Sequence, residues 1–357
     1  MSRQDSDFRL SGSRVLVTGG AGFIGSHLVR RLLQRFEDIT VVTLDALTYA
    51  GQRSNLAEAE GDSRHRFVVG DVSDPEIVDP LVAEADAVMH LAAETHVDRS
   101  IAEGLSFVRT DAVGTATLLE ATRRHEVQRF LHVSTDEVYG EIMSGSVDEM
   151  AALKPRNPYS ASKAAGDHLA QAYQITHGLP VIIARPSNHY GPHQYPEKFI
   201  PLFTVNAIEG RPLPLYGDGR QTREWTHVED GVDALIYVVQ YGEPGQAYNV
   251  SSGEERPNIE VAELICAATG SDPSLITLVT DRPGHDRRYS IDSDLLLSLG
   301  WKPRIPFDEG LQKTVEWYLA RRDWWEPIVR DSPAYQGWIS TQYSRVSESP
   351  LNDSSEE

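Results

Sequence analysis

The sequence predicts an α/β protein, with a doubly wound parallel sheet first and a smaller mixed α/β lobe after it. Three observations predict this. The apolar run Arg14-Val15-Leu16-Val17-Thr18 passes directly into Gly19-Gly20-Ala21-Gly22-Phe23-Ile24-Gly25 and then into an amphipathic stretch, Ser26 to Arg35. Runs of strand length alternate with helical patterns from there to about Arg185, the order that builds βαβ units and a parallel sheet. Past Arg185 the chain is richer in loops, as in Pro192-His193-Gln194-Tyr195-Pro196 and Pro212-Leu213-Pro214-Leu215-Tyr216-Gly217, so a second unit begins there. We therefore expect a Rossmann-type domain over residues 13–186 and a lobe over 187–335. A polar lead-in at 1–12 and a disordered acidic tail at 345–357 flank them.

Composition narrows the class. A net charge of -20 repels nucleic-acid backbones and anionic membranes and argues against both as partners. Only five of the 33 basic residues are lysine, namely Lys154, Lys163, Lys198, Lys302 and Lys313, so a lysine inside a motif carries weight. The arginine bias fits either a GC-rich genome or an adaptation to salt. Cys266 is the sole cysteine, which rules out an intrachain disulfide and points to a reducing compartment. The stretch Met1 to Asp7 lacks the apolar core of a signal peptide, and no apolar run approaches the length of a membrane-spanning helix. A soluble, cytoplasmic protein is expected.

The elements follow in order. Gly19, Gly22 and Gly25 are spaced G-x-x-G-x-x-G between a strand and a helix. Glycines there permit the tight turn and let the backbone approach a pyrophosphate, while the helix N-terminus offers free N–H groups. The second strand, Ile39 to Leu44, ends at Asp45. A carboxylate there can accept hydrogen bonds from a ribose 2′-OH, which favours NAD over its phosphorylated form. A third strand, Phe67-Val68-Val69, leads to Gly70-Asp71-Val72, where the acid can meet an adenine. The fourth, Ala87 to Leu91, opens into a loop whose small residues Ala92 and Ala93 let a cofactor lie close. His90, Glu94 and His96 superficially resemble metal ligands, but His90 lies within the strand and no further ligands cluster with them, so no metal is expected. A helical pattern runs from about Phe107 to Arg124, with Val113, Leu118, Leu119 and Ala121 on its apolar side.

The fifth strand, Arg129 to Ser134, delivers Thr135, Asp136 and Glu137 at its end, where an open α/β sheet presents its binding crevice. Two acids in a turn can aim at one ligand and be held in different protonation states, one as base and one as acid. They could equally be mere caps of the turn that follows. Asn157-Pro158 starts a helix through Tyr173, which puts Tyr159 and Lys163 on one face. An adjacent ammonium stabilises a phenolate, making this pair a proton acceptor for an alcohol oxidised by NAD. A surface Tyr beside a surface Lys is the ordinary alternative, and the dinucleotide fingerprint upstream weighs against it. In the lobe, Arg223 and the run Asp281 to Tyr289 add the cations that a nucleotide diphosphate needs. Trp317, Tyr318, Trp324 and Trp325 predict a C-terminal helix docked by aromatics.

With these residues in place, the chain resembles the extended short-chain dehydrogenase/reductases that modify nucleotide sugars, and within them the dTDP-glucose 4,6-dehydratase family. The resemblance covers roughly residues 14–330. Besides the glycine turn it rests on Leu44-Asp45-Ala46-Leu47-Thr48-Tyr49-Ala50-Gly51, His96-Val97-Asp98-Arg99-Ser100, Ser134-Thr135-Asp136-Glu137-Val138-Tyr139-Gly140, Tyr159-Ser160-Ala161-Ser162-Lys163, Pro196-Glu197-Lys198 and Arg282-Pro283-Gly284-His285-Asp286. Related epimerases and decarboxylases share the glycines and the Y-x-x-x-K but normally lack the Asp-Glu pair, so Asp136 discriminates. Two positions depart from the family. His189 stands where a second Asn of Asn-Asn-Tyr-Gly-Pro is usual, and Ala46 stands where a lysine is usual.

The resemblance implies roles. Tyr159, helped by Lys163, takes the sugar 4-OH proton while NAD takes the C4 hydride. Glu137 then removes the C5 proton, Asp136 protonates the departing 6-OH, and the hydride returns to C6. The cofactor would lie against Gly19, Gly22, Phe23, Ile24, Gly25, Asp45, Ala46, Leu47, Thr48, Asp71, Val72, Leu91, Ala92, Ala93, Thr110 and His189, with Tyr159 and Lys163 at its reactive end. Thr95 and Thr135 would hydrogen-bond the sugar. Asn188, Lys198, Phe199, Pro214, Tyr216, Arg223, Asn258, Arg282 and His285 would hold the rest of the nucleotide sugar, making residues 187–335 mostly its binding lobe. A homodimer is implied through the helices near 107–124 and 158–173, where Ala112, Ala116, Ala161, Ala164 and Ala165 permit close packing. Two other readings stand beside this one: an epimerase or decarboxylase of the same fold, and a catalytically silent NAD- or sugar-nucleotide-binding protein. The intact Thr135, Tyr159, Lys163 set argues against the second.

Overall fold

In the computed structural model, which describes residues 7–347, seven parallel strands form the central sheet. In chain order the strands are β1 Arg14–Thr18, β2 Thr40–Asp45, β3 His65–Val69, β4 Ala87–His90, β5 Arg129–Val133, β6 Val181–Pro186, β7 Asn188–Tyr190, β8 Leu213–Tyr216, β9 Thr222–His227, β10 Ala247–Val250, β11 Glu255–Pro257 and β12 Ile276–Val279. Across the sheet the order is β10-β6-β5-β4-β1-β2-β3. The chain leaves β3 at one edge and re-enters beyond β1 as β4, so Thr18 faces Leu44 on one side and His90 on the other. The connections diverge there, and a crevice opens at the carboxyl ends of β1 and β4. Helices cover both faces, which is why β6 is buried along its whole length.

Local sequence explains where the site-bearing helices begin. Helix Phe23–Arg35 starts inside the glycine turn, three residues before the amphipathic pattern, and its first residues Phe23 and Ile24 line the crevice as well as packing against the core. Helix Pro158–His177 is started by Asn157, whose side chain accepts from Ser160 N at 2.8 Å while Ser160 Oγ accepts from Asn157 N at 3.3 Å. Such a cap contributes about 1 kcal/mol. Gly178, at φ 69°, ends that helix.

The helix expected from Phe107 to Arg124 is not continuous. A short turn, Gly104–Phe107, runs into a π-helical segment, Val108–Gly114, and only then into helix Thr115–Arg124. The wide turns shift the repeat. Val113, placed on the apolar face by its spacing, is therefore 49% exposed, while Leu118, Leu119 and Ala121 are buried as expected.

Beyond β6, the sheets β11-β9-β7 and β12-β8 pack with helices Phe199–Ile208, Asn258–Thr269 and Phe307–Ala320 around Phe203, Trp225, Ile265 and Phe307. This lobe is not a separate stretch of chain. Helix Val228–Tyr241 and β10 return to the central sheet, where Ala247 pairs with Ile183. Phe8 and Leu10, within the polar lead-in, are buried in that same core. The C-terminal aromatics dock as expected: Trp325 is fully buried, and Trp324 Nε1 donates to Asn55 Oδ1 at 2.9 Å. Residues 345–347 of the predicted tail belong to helix Pro333–Ser347, and the rest of that tail lies outside the described residues, as do the first six residues of the lead-in.

Candidate active site

The crevice continues from the glycine turn to the end of β5 as one cleft. A Cβ on Gly25 would stand 2.1 Å from Gly19 O, and one on Gly19 would stand 2.7 Å from Ala92 N. Only glycine permits this close approach of helix to strand. Gly22 caps helix Phe23–Arg35 with no side-chain hydrogen bond, so the N–H groups of its first turn remain open toward the cleft. That donor set fits a diphosphate. Asp45, at the end of β2, accepts Ala21 N at 2.9 Å and Leu47 N at 2.8 Å. Burial raises its pKa, and those two donors oppose the rise. Its remaining lone pairs still face the cleft.

Of the residues assigned to a cofactor, all but Leu47 line this cleft. Leu47 takes a left-handed backbone, φ 51°, and serves through its N–H to hold Asp45. His189 lines the wall as a neutral imidazole, its pKa lowered to about 4 by burial. Its Nδ1 pairs with Ser187 O at 2.8 Å, and a Cβ on Gly231 would meet its Nε2 at 1.8 Å. The space left by Gly231 thus accommodates a ring where an amide is usual. His90 is tied between Thr18 Oγ1 at 2.7 Å and Thr115 Oγ1 at 3.0 Å, a structural placement inside the sheet.

At the end of β5 the chain makes one tight 3₁₀ turn, Asp136–Tyr139, capped by Thr135. Gly140 follows at φ 76°, where a Cβ would fall 2.3 Å from Lys154 O. The turn sets two consecutive acids in different surroundings. Asp136 is 2% exposed, and its Oδ2 meets no partner. Burial, then Glu137, then Glu224 push its pKa well above the usual carboxylate range, which favours its protonated form. Glu137 faces the cleft, with Asn157 Nδ2 at 3.4 Å and Tyr289 Oη at 3.5 Å from its Oε2.

Tyr159 and Lys163 share a helix face beside this turn, as their spacing predicts. The expected electrostatics differ. Lys163 Nζ donates to Val133 O at 2.7 Å, and burial lowers its pKa against the pull of Asp111 and Asp167. The Tyr159 phenol is pushed well above its ordinary value by burial, then by Glu137 and Asp111, with the Thr135 hydroxyl acting the other way. Burial and two nearby acids outweigh the ammonium, so Lys163 does not by itself lower the phenol.

Sequence reasoning missed two further acids. Asp111 is buried, accepts Ser162 Oγ at 2.5 Å and Glu94 N at 3.1 Å, and is raised to about 6 by burial. Glu94 is raised to about 7 by burial and by Asp111. Glu94 had been weighed only as a metal ligand, and nothing local to Asp111 marks it.

A second pocket adjoins the first and shares Thr95, Glu137, Asn188, Glu197 and Lys198 with it. It collects every residue assigned to the nucleotide sugar except Thr135, which lies on the first cleft's wall. Arg282 pairs with Asp98 at 3.0 Å, and Arg223 lies over the Tyr289 ring with its guanidinium carbon 4.4 Å from the centroid. Lys198 Nζ donates to Thr95 O. Asn188 Oδ1, Asn258 Oδ1 and Arg282 Nε are buried without a hydrogen-bond partner, as in a site built for a polar ligand. Glu197, which carries the ion pair to Arg99 at 2.9 Å, was not singled out by the sequence.

A doubly wound sheet with a glycine cradle at its crevice, a Tyr-x-x-x-Lys helix beside it and a second pocket in an added lobe define an extended short-chain dehydrogenase/reductase. A family model described as GDP-mannose 4,6 dehydratase matches residues 16–314. A dTDP-glucose 4,6-dehydratase of Streptomyces niveus is 50% identical over 320 residues, covering 88% of this chain and 95% of that protein. The low-salt glycan biosynthesis protein Agl12 of Haloferax volcanii is 52% identical over 306 residues, covering 86% and 98%. Among solved structures, DesIV, a dTDP-glucose 4,6-dehydratase from Streptomyces venezuelae crystallised with NAD, superposes with a TM-score of 0.87 at 48% identity, covering 88% of this chain and 99% of that one. The chain belongs to the GDP-mannose 4,6-dehydratase family, among whose members here are dTDP-glucose 4,6-dehydratases.

Proposed function

We propose that this chain is an NAD-dependent hydro-lyase that converts dTDP-glucose, or a close nucleotide-diphosphate hexose, to its 4-keto-6-deoxy product. The observation that carries the reading is the buried Asp136, its carboxyl raised by that burial, beside a cleft-facing Glu137, where the two pockets meet. NAD supplies the hydride acceptor at C4 and the hydride donor at C6. The glycine turn holds its diphosphate and Asp45 its ribose. Tyr159 takes the 4-OH proton, with Thr135 and Thr95 holding the sugar. The C4 ketone acidifies C5–H, Glu137 takes that proton, and Asp136 donates to the leaving 6-OH, which departs as water. After hydride return to C6, Glu137 gives its proton back to C5. Incubation with dTDP-glucose followed by alkali should develop the ultraviolet absorbance of a 4-keto-6-deoxy sugar. An epimerase would instead yield an isomeric nucleotide hexose and no such absorbance, and a silent binding protein would yield neither.

The protein is cytoplasmic and dimeric in this proposal. Among the described residues no helix is long and apolar enough to cross a membrane. Leu105, Val108 and Val113 are 84%, 48% and 49% exposed on the segment before helix Thr115–Arg124, an apolar surface that a second copy would cover. Ala161 is exposed on the neighbouring helix, whereas Ala164 turns inward.

A further inference from the structure

The proposed reaction ends with one proton on the wrong residue. To act as the 4-OH base, Tyr159 enters the step as phenolate, against the burial that raises it, and finishes as phenol, carrying the 4-OH proton. Asp136 starts protonated and finishes as carboxylate, its proton now in the released water. Glu137 takes a proton from C5 and returns one to C5, so it is unchanged. The enzyme has its full proton count, but a second substrate can react only after a proton passes from Tyr159 to Asp136.

Asp136 is poorly placed to collect that proton from bulk solvent, being 2% exposed. The side chain that reaches it is Thr135, itself 7% exposed, whose Oγ1 donates to Asp136 Oδ1 at 3.2 Å. The same oxygen accepts Glu137 N at 3.3 Å, which holds the hydroxyl in place and leaves it one lone pair. On its other side stands the Tyr159 phenol, close enough for the hydroxyl to oppose the rise in its pKa.

We infer that Thr135 is a proton-return relay, passing its own hydroxyl proton to Asp136 Oδ1 while its Oγ1 takes the proton of the Tyr159 phenol. Two O–H bonds form, at Asp136 and at Thr135, and two break, at Thr135 and at Tyr159. Negative charge moves from Asp136 to Tyr159, and no electrons are exchanged with any other group. Burial favours the neutral form at both ends, and the positive charge restored to oxidised NAD would favour the phenolate end. The relay rests on the dehydratase reading above.

The test compares Thr135→Val, which removes the hydroxyl at similar volume, with Thr135→Ser, which keeps it. NAD-loaded enzyme is mixed with excess dTDP-glucose and quenched over time. Thr135→Val should form about one equivalent of product per site and then slow by about 10²-fold or more, the low end of proton-transfer contributions. Wild type and Thr135→Ser should show no such burst. The infrared band of protonated Asp136, identified by its loss in Asp136→Asn, should vanish from Thr135→Val after one turnover and persist in wild type. Thr135→Ala replaces the valine variant if that one folds poorly. Equal slowing of first and later turnovers, with the band retained, would overturn the relay alone and leave Thr135 as a sugar-positioning residue. Failure of the wild type to make any 4-keto-6-deoxy sugar would overturn the reaction reading and the relay together.

Discussion

Asp136 and Glu137 are adjacent in sequence, yet one is almost wholly buried in the wall of the first cleft and the other opens into both pockets. The 3₁₀ turn after β5 produces that difference, because it aims consecutive side chains at different depths. Burial raises the Asp136 carboxyl well above its usual range. A single turn thus sets two carboxyls in the different environments that the proposed acid and base need.

Glu137→Gln should separate oxidation from elimination. Mixed with substrate, it should accumulate the absorbance of bound reduced cofactor, lose about 10²–10⁴-fold in turnover and scarcely exchange C5 hydrogen with solvent deuterium. Tyr159→Phe should block the earlier step, so no reduced cofactor appears on mixing. Normal C5 exchange in Glu137→Gln would assign the base elsewhere.

The Asp98–Arg282 pair spans two motifs far apart in the chain and forms one wall of the second pocket. Burial alone would raise the Asp98 carboxyl, but Arg282, His96 and Tyr216 bring it below its usual value. Arg282→Leu leaves that charge buried and unpaired, so a loss of about 3–5 kcal/mol is expected in urea unfolding. Adding Asp98→Leu should recover part of it; no recovery would show that the pair is not coupled.

The share of stability contributed by Asp111 and Glu94 should fall as pH rises from about 4 to 7. Asp111 and Glu94 are raised in the folded protein, to about 6 and about 7, so the fold binds their protons more tightly than the unfolded chain does. Their contribution is complete below the ordinary carboxylate pKa and is lost as pH rises through those values. Measured as a difference from wild type, Asp111→Asn should remove a falling component on the order of 1–3 kcal/mol between pH 4.5 and 7. An unchanged slope in chemical denaturation at several pH values would exclude Asp111 as its source.

Light scattering at micromolar concentration should give the mass of a dimer for the wild type and of a monomer for Leu105→Arg. The exposed Leu105 side chain lies outside both pockets, so its replacement tests the apolar surface without touching the cleft. A wild-type monomer would remove the case for a dimer.

Much of this site was legible from residues alone. A glycine spacing between strand and helix is a local property, so the cradle, Asp45 at the end of β2 and the shared face of Tyr159 and Lys163 follow from short stretches of chain. The acid pair was legible for the same reason, since the end of a parallel strand is where the crevice opens. The π-helical segment was not, because nothing in the apolar spacing of 107–124 announces a register shift, and Val113 turned outward as a result.

The sequence by itself determined which groups stand at the crevice, because backbone geometry over a few residues sets that. Only the tertiary structure decided their charge states and partners. The Asp136 carboxyl is raised by burial and by the nearby Glu137 and Glu224, the Tyr159 phenol is raised although Lys163 is near, and Asp98 meets Arg282 across the fold. Protonation and ion pairing depend on water excluded and on charges brought close from anywhere in the chain, and neither quantity exists until the chain has folded.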